Sequence, residues 1–252
     1  MISFLLVLTS VCGYLIGSIN WALIISIMKK SDIRKMGSGN PGTLNMGRNL
    51  GLKFGLLTFA LDILKGAVPT LIVFFIFRGK TFNGSIFLIS DFAIYLCGFS
   101  VVLGHIFPIY YHFKGGKGIA STIGVFLIAE SVHGIGWASV VIMALVAATV
   151  FIYLTEFGAM GSFIAITPPA ISGSIRLFLE YGFESADKTA VAFHVVTNML
   201  ILAICFLTWH AHRKNIERML AGDEHPTSLK GMIIKAKAKK LQEKKERENK
   251  SD

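Results

Sequence analysis

The sequence predicts an all-α membrane protein, built as a bundle of about seven helices that cross the bilayer. Hydrophobic residues make up 53% of its 252 residues, charged residues only 16%, and the mean hydropathy is +0.62. Apolar runs of roughly the 20 residues that a crossing requires recur along the chain. This composition excludes a soluble globular domain. The first run is too long for a cleavable leader, so we expect it to remain in the protein.

Seven apolar segments define the predicted spans. In chain order they are Ile2–Met28, Phe54–Phe77, Ile86–Phe107, Ile119–Glu130, Ile135–Leu154, Met160–Leu179 and Ala190–His210. The fourth has only about a dozen apolar residues, which is fewer than a full crossing requires. We therefore expect this span to be short, tilted or re-entrant.

The positive charges predict how the bundle is oriented. The connections after the odd-numbered spans contain twenty Lys or Arg, twelve of them after His210, whereas the opposite side contains four, one of which, Arg176, lies near the end of the sixth span. Positively charged loops remain in the cytoplasm, so the N-terminus is predicted to lie outside and the C-terminus inside. Residues 1–222 are predicted to form one membrane domain, and residues 223–252 a basic cytoplasmic tail that catalysis does not need. Anionic lipid is a better partner for this tail than nucleic acid, because the tail follows a membrane span.

The segment from Gly104 to Thr122 carries the strongest chemical signal. Pro108 ends an apolar helix, three aromatic residues follow, and a run of glycines and lysines precedes the next helix. Glycine N–H groups, lysine charges and a helix N-terminus together suit an anion. The alternative is a glycine-rich turn whose lysines reach lipid phosphates. The candidate binding residues here are Lys114, Gly115, Gly116, Lys117 and Gly118.

A second polar loop follows the first span and has the sequence GSGNPGTLNMGR. Its small hydroxyl and amide side chains supply many hydrogen-bond donors, and its arginine adds a planar charged fork that matches phosphate oxygens. The alternative is an ordinary Asn-Pro-Gly turn between two spans. The candidate residues are Ser38, Gly39, Asn40, Asn45 and Arg48.

Two ionisable residues lie inside the second span. Asp62 and Lys65 are three residues apart and share a helix face, so each can neutralise the other. Ionisable residues within a membrane are candidates for function, although a structural ion pair explains these two equally well. His105, before the break in the third span, is a candidate polar contact to the same pocket. The three cysteines lack metal-ligand spacing, so neither a metal nor a cofactor is predicted.

The predicted topology places every chemically suggestive cluster on the cytoplasmic side. The two glycine-rich loops lie there together with the turn at Glu156 and with the segment His212–Asn215. A protein that merely crosses the membrane has no reason to keep such clusters on one side. We therefore expect these segments to form one site.

The motifs GSGNPGTLNMGR, LDILKG, GHIFPIYYHFKGGKG and HRKNIERMLAG together resemble the PlsY family, the membrane-integral acyl-phosphate:glycerol-3-phosphate acyltransferases of bacteria. The resemblance extends to about Gly222 and implies a multi-pass protein of the bacterial cell membrane. It implies acyl phosphate and glycerol 3-phosphate as substrates, lysophosphatidic acid as product, and an active site on the cytoplasmic face. It assigns Ser38, Lys117, His212 and Asn215 to catalysis. The residues that it assigns to the substrate phosphates are Gly39, Asn40, Asn45, Arg48, His105, Lys114, Gly115, Gly116 and Gly118. Asp62, Lys65 and Ser162 are supporting residues.

The chain departs from the family pattern in two places. Leu44 replaces a threonine in the first motif. A further motif of the family lies at the turn between the fifth and sixth spans. There Glu156 and Ala159 align with a basic residue and a serine of the family, while Ser162 is retained. These departures leave open an acyltransferase with a different acceptor. The acyl-chain preference and the oligomeric state are also open.

An acyl phosphate is a mixed anhydride already activated toward attack, so positioning and charge stabilisation suffice for the reaction. His212 and a substrate phosphate are alternative acceptors of the hydroxyl proton.

One rival function is an organic-anion transporter, although no internal repeat of the transporter kind is found. Another is a noncatalytic lipid-binding scaffold, which has no need for the two glycine-rich loops.

Overall fold

The computed structural model describes residues 1–82, 85–182, 188–223 and 227–248, with side chains described up to residue 242. Within these residues the chain forms α-helices, with two short 3-10 turns at Ile33–Lys35 and Ile109–Tyr111. The helices are α1 (Ile2–Gly17), α2 (Trp21–Met28), α3 (Thr43–Leu50), α4 (Leu52–Phe77), α5 (Ile89–Ile106), α6 (Ile119–Ser131), α7 (Ile135–Thr155), α8 (Gly158–Tyr181), α9 (Lys188–Ala211), α10 (Arg213–Leu220) and α11 (Leu229–Glu248).

Six segments of the described chain are long and apolar enough to cross a membrane, and they coincide with every predicted span except the fourth. They are Ile2–Met28, Leu52–Phe77, Ile89–Tyr111, Ile135–Thr155, Gly158–Tyr181 and Lys188–Ala211. Helix α6 has 13 residues and is too short for a full crossing, as its sequence predicts. The all-α membrane bundle is therefore confirmed.

The first predicted span is not one continuous helix. It breaks between α1 and α2, where the Asn20 side chain accepts a hydrogen bond from the N–H of Leu23 at 3.0 Å and caps α2. The break releases the carbonyl of Ile19, and the Lys65 ammonium donates a hydrogen bond to it at 2.8 Å. Asp62 lies 3.0 Å from the same ammonium. The intramembrane ion pair therefore supports a broken helix, which local hydropathy does not reveal.

Helices α4 and α6 pack almost backbone to backbone. A Cβ atom added to Gly66 would lie 2.2 Å from the carbonyl oxygen of Ser121, and one added to Gly124 would lie 2.1 Å from that of Ile63. Small residues permit this approach between membrane helices, where close packing drives association. The contact fixes the start of α6, immediately after the second glycine-rich loop.

A cluster of charged residues connects α5 and α8 with the segment that follows α6, at the end of the bundle opposite the second glycine-rich loop. The His133 ring contacts Asp91 at 2.7 Å and Glu180 at 3.3 Å, and Arg176 donates to Glu180 at 2.9 Å. Burial alone would lower the pKa of His133, but its hydrogen bonds to the two carboxylates outweigh burial and raise the pKa to about 9. The imidazole is therefore a charged bridge between two acids.

The C-terminal segment is not separate from the bundle. Thr227 and Met232 are only 3% and 8% exposed, and α11 contacts α4 and α7. The first part of the predicted basic tail therefore packs against the membrane domain. Residues 224–226 and 249–252 of that tail lie outside the described residues.

Candidate active site

The polar residues gather on what we call the site face, the end of the bundle formed by loops 29–51 and 107–118, the turn at residues 156–157, and α10. Asn45 organises the first loop and is 2% exposed. Its Oδ1 accepts hydrogen bonds from the Ser38 N–H at 3.1 Å and the Asn49 side chain at 2.9 Å. Its Nδ2 donates to the carbonyls of Ile33 at 3.2 Å and Met36 at 2.9 Å. All four hydrogen-bonding positions of this amide are used within the protein, so Asn45 fixes the loop.

The tip of this loop carries Ser38, Gly39 and Asn40. Gly37 and Gly39 have φ angles of +55° and +69°, in the left-handed region that glycine adopts without strain. The two glycines turn the chain tightly on either side of Ser38, which is exposed. The predicted donors are therefore presented at the surface, and Asn45 holds them from below.

Arg48 lies in the last turn of α3 and is exposed. Its guanidinium donates a hydrogen bond to the hydroxyl of Thr227, 179 residues further along the chain. Sequence reasoning did not identify Thr227, because a lone threonine within a charged tail carries no recognisable signal.

The second glycine-rich loop folds back onto the end of α5. The N–H groups of Gly115 and Gly116 donate hydrogen bonds to the carbonyls of Ile106 and His105, both at 3.1 Å. A Cβ atom on Gly115 would lie 2.0 Å from the His105 carbonyl oxygen, and one on Gly116 would lie 2.3 Å from His105 Nε2. These glycines allow the loop to approach the end of α5 closely, and their N–H groups donate to carbonyls of α5 instead of to an anion. The lysine side chains, Gly118 and the first turn of α6 supply the remaining donors.

His105 lies behind this loop and is 5% exposed. Its Nδ1 is 3.4 Å from the Ser121 hydroxyl and 3.8 Å from the Asp62 carboxylate. Asp62 in turn pairs with Lys65. The structure therefore brings these three predicted residues together as a buried support beneath Gly116.

Lys117 joins the second motif to the last motif. Its ammonium donates a hydrogen bond to the amide oxygen of Asn215 in the first turn of α10. The other lysine of the same loop, Lys114, donates its backbone N–H to the carbonyl of Tyr111 at 3.1 Å. The structure thus brings a cation from one predicted motif directly onto an amide from another.

His212 caps the start of α10 and is 2% exposed. Its Nδ1 lies 2.8 Å from the carbonyl oxygen of Thr208. Because a carbonyl can only accept, Nδ1 carries the hydrogen and Nε2 the lone pair. Burial, and then the nearby charge of Lys117, lower the pKa of His212 to about 4. The imidazole is therefore neutral at physiological pH.

The departures from the family pattern lie close together at the start of α8. Glu156 has a left-handed backbone with φ of +62°, and its carbonyl accepts the N–H of Thr227 at 2.7 Å. Ala159 is 3% exposed, and the Leu44 side chain lies 3.4 Å from a Cβ position on Gly158. The retained Ser162 donates its hydroxyl to the Gly158 carbonyl at 2.9 Å, within the helix.

The fold and this site define an integral membrane protein whose bundle carries a cationic, amide-rich site at one end. The sequence model of the family described as glycerol-3-phosphate acyltransferase matches residues 7–222. The chain belongs to this family.

Individual relatives agree with that assignment. A glycerol-3-phosphate acyltransferase of Mycoplasmopsis pulmonis is 36% identical over 84% of this chain and 88% of its own length. One of Aquifex aeolicus is 36% identical over 84% of this chain and 94% of its own. The crystal structure of PlsY, an integral membrane glycerol 3-phosphate acyltransferase in its glycerol 3-phosphate form, superposes with a TM-score of 0.67 at 30% identity, covering 88% of this chain and 94% of that one. Its lysophosphatidic acid form gives a TM-score of 0.65.

Proposed function

We propose that this protein transfers an acyl group from acyl phosphate to the sn-1 hydroxyl of glycerol 3-phosphate, at the cytoplasmic face of a bacterial cell membrane. The contact between Lys117 and Asn215 carries the proposal, because it brings the second glycine-rich loop and the motif HRKNIERMLAG together at one place. Membership of the family supports the substrates, and the excess of Lys and Arg on the site face supports its cytoplasmic placement.

The reaction needs no nucleophile from the protein. The acceptor hydroxyl oxygen attacks the acyl carbonyl carbon, the bond from that carbon to the phosphate oxygen breaks, and inorganic phosphate leaves as lysophosphatidic acid forms. Lys117, the first turn of α6 and the donors of Ser38 and Asn40 stabilise the departing phosphate. Arg48 binds the phosphate of the acceptor, because its planar fork suits a phosphate better than a point charge does.

His212 has the tautomer needed to orient the attacking hydroxyl. Its Nε2 accepts a hydrogen bond, whereas a pKa of about 4 makes it a weak final acceptor for the proton. A phosphate oxygen, whose second pKa is near 6 in a phosphomonoester, is the stronger base of the two. We therefore assign orientation of the hydroxyl to His212 and acceptance of the proton to a substrate phosphate.

An apolar groove of about 480 Å³ between α8 and α9 suits the acyl chain. Ile171, Phe178, Leu202 and Trp209 line it. The Phe163 ring contacts both Trp209 and His212, with centroids 6.0 and 5.4 Å away. The groove therefore reaches close to the residue that we assign to the acceptor hydroxyl, and it faces the side where lipid lies.

Purified protein in detergent, given acyl phosphate and glycerol 3-phosphate, is expected to release inorganic phosphate and lysophosphatidic acid in equal amounts. Other phosphorylated alcohols, tested in parallel, decide the acceptor, because Leu44, Glu156 and Ala159 leave room for a different one. A transporter or a lipid-binding scaffold would leave the acyl phosphate intact. Lack of consumption with every acceptor would contradict the proposal.

A further inference from the structure

Thr227 contacts the site from beyond the residues that the family model matches. The match to the family model ends at residue 222, yet the Thr227 hydroxyl accepts a hydrogen bond from the Arg48 guanidinium. Thr227 is 3% exposed, whereas Arg48 is exposed on α3. A residue of the C-terminal segment therefore holds an arginine of the first motif.

Several further contacts seat this segment. The Thr227 N–H donates to the carbonyl of Glu156 at 2.7 Å. A Cβ atom on Gly158 would lie 2.6 Å from the Thr227 hydroxyl oxygen, and one on Gly47 would lie 3.0 Å from the sulfur of Met232. Glycines thus make room for the segment at both places, and Gly47 directly precedes Arg48. The segment is docked on either side of the arginine.

We propose that Thr227 is a positioning residue, which holds the Arg48 guanidinium in the orientation that binds the acceptor phosphate. An exposed arginine side chain loses rotamer entropy when it is fixed. The hydrogen bond to a buried hydroxyl restricts the guanidinium before substrate arrives. This lowers the cost of ordering Arg48 on binding.

Thr227 also places a hydroxyl beside the turn at the start of α8. The family pattern places a serine where this chain has Ala159, the residue after Gly158. Thr227 brings a hydroxyl to the same turn from a different part of the chain. The C-terminal segment thus supplies a hydroxyl next to the position where the family pattern has a serine and this chain has Ala159.

The inference rests on the proposed role of Arg48. A double-mutant cycle distinguishes a failure of the role of Thr227 from a failure of the role of Arg48. Thr227→Val, Arg48→Lys and the double variant are purified as full chains, and KM for glycerol 3-phosphate, KM for acyl phosphate and kcat are measured. Thr227→Val is expected to raise KM for glycerol 3-phosphate about threefold to tenfold, the effect of one hydrogen bond, with the KM of the donor and kcat nearly unchanged. Thr227→Ser retains the hydroxyl and is expected to stay within about twofold of the natural sequence. In the Arg48→Lys background, Thr227→Val is expected to add no further effect.

Thr149→Val is the matched control, because Thr149 is exposed and its hydroxyl donates within α7, to the carbonyl of Leu145. Thr227→Ala repeats the measurement if the valine variant is not recovered in folded form. An impaired Arg48→Lys together with an unchanged Thr227→Val overturns the role of Thr227 alone. A normal Arg48→Lys overturns the proposed role of Arg48. Fully additive effects show that Thr227 acts by a route other than Arg48, and also overturn the inference.

Discussion

The ammonium group of Lys117 donates a hydrogen bond to the amide oxygen of Asn215, which lies 98 residues further along the chain. Lys117 precedes α6, and Asn215 lies in the first turn of α10, one turn after His212. The amide fixes the direction of the lysine charge, and that charge helps to keep His212 neutral. This contact therefore places the charge of Lys117 near His212, where it adds to the effect of burial on the imidazole.

Lys117→Met should reduce kcat by about a hundredfold or more, because it removes a preorganised charge near the phosphate that leaves. The side chain is only partly buried, so we expect normal insertion and thermal stability in detergent. Lys80→Met, an exposed lysine in the connection after α4, is the matched control for loss of one charge. Near-normal turnover of the Lys117 variant would contradict the phosphate-site assignment.

Two truncations test the C-terminal segment as a whole. A chain ending at Gly222 loses Thr227 and Met232, and we expect KM for glycerol 3-phosphate to rise at least as much as in Thr227→Val. A chain ending at Lys240 keeps both docking residues and should retain the natural KM within about twofold. This expectation replaces the sequence-based one, in which everything beyond residue 222 is dispensable. Equal kinetics for both truncations would contradict it.

Ala159→Ser should change turnover by about tenfold or less, which is about 1.4 kcal/mol on the barrier and the size of one added hydrogen bond. Direct attack by the acceptor requires no serine at this buried position. Single-turnover assays with labelled acyl phosphate check the point, because a covalent route would leave acyl groups on the protein. A protein-bound acyl group that forms and decays at the turnover rate would refute direct attack.

Stability in detergent should fall at alkaline pH because of His133. Its pKa is raised from 6.5 to about 9 in the folded protein, so the folded state holds the proton more tightly than the unfolded state. The resulting stabilisation is complete below pH 6.5 and is lost as the pH rises through 9. The charged groups around the ring are Asp91, Glu180, Arg176 and Glu130.

Thermal unfolding midpoints at pH 6.5 and pH 9 measure this effect for the natural sequence and for His133→Gln. The glutamine cannot titrate, so its midpoint should vary less with pH. The same pH dependence in both proteins would show that another group is responsible.

The sequence by itself determined the membrane bundle, the spans and the segments that carry the chemistry. Hydropathy and the excess of lysine and arginine are properties of local composition, so they can be read from the sequence without knowledge of contacts. The short fourth span follows from counting apolar residues, and α6 is indeed too short to cross. The motifs around Arg48, Lys117 and Asn215 were equally visible, because glycine and charge are rare within apolar sequence.

Only the tertiary structure decided what these residues contact. Gly115 and Gly116 give their N–H groups to α5, and Asn45 uses its whole amide inside its own loop. Thr227 reaches Arg48 from 179 residues away. Such pairings depend on how closely helices approach, and that distance is set by packing among segments far apart in the chain. Local composition shows which groups are available for hydrogen bonds, but only the packed helices decide which donor meets which acceptor.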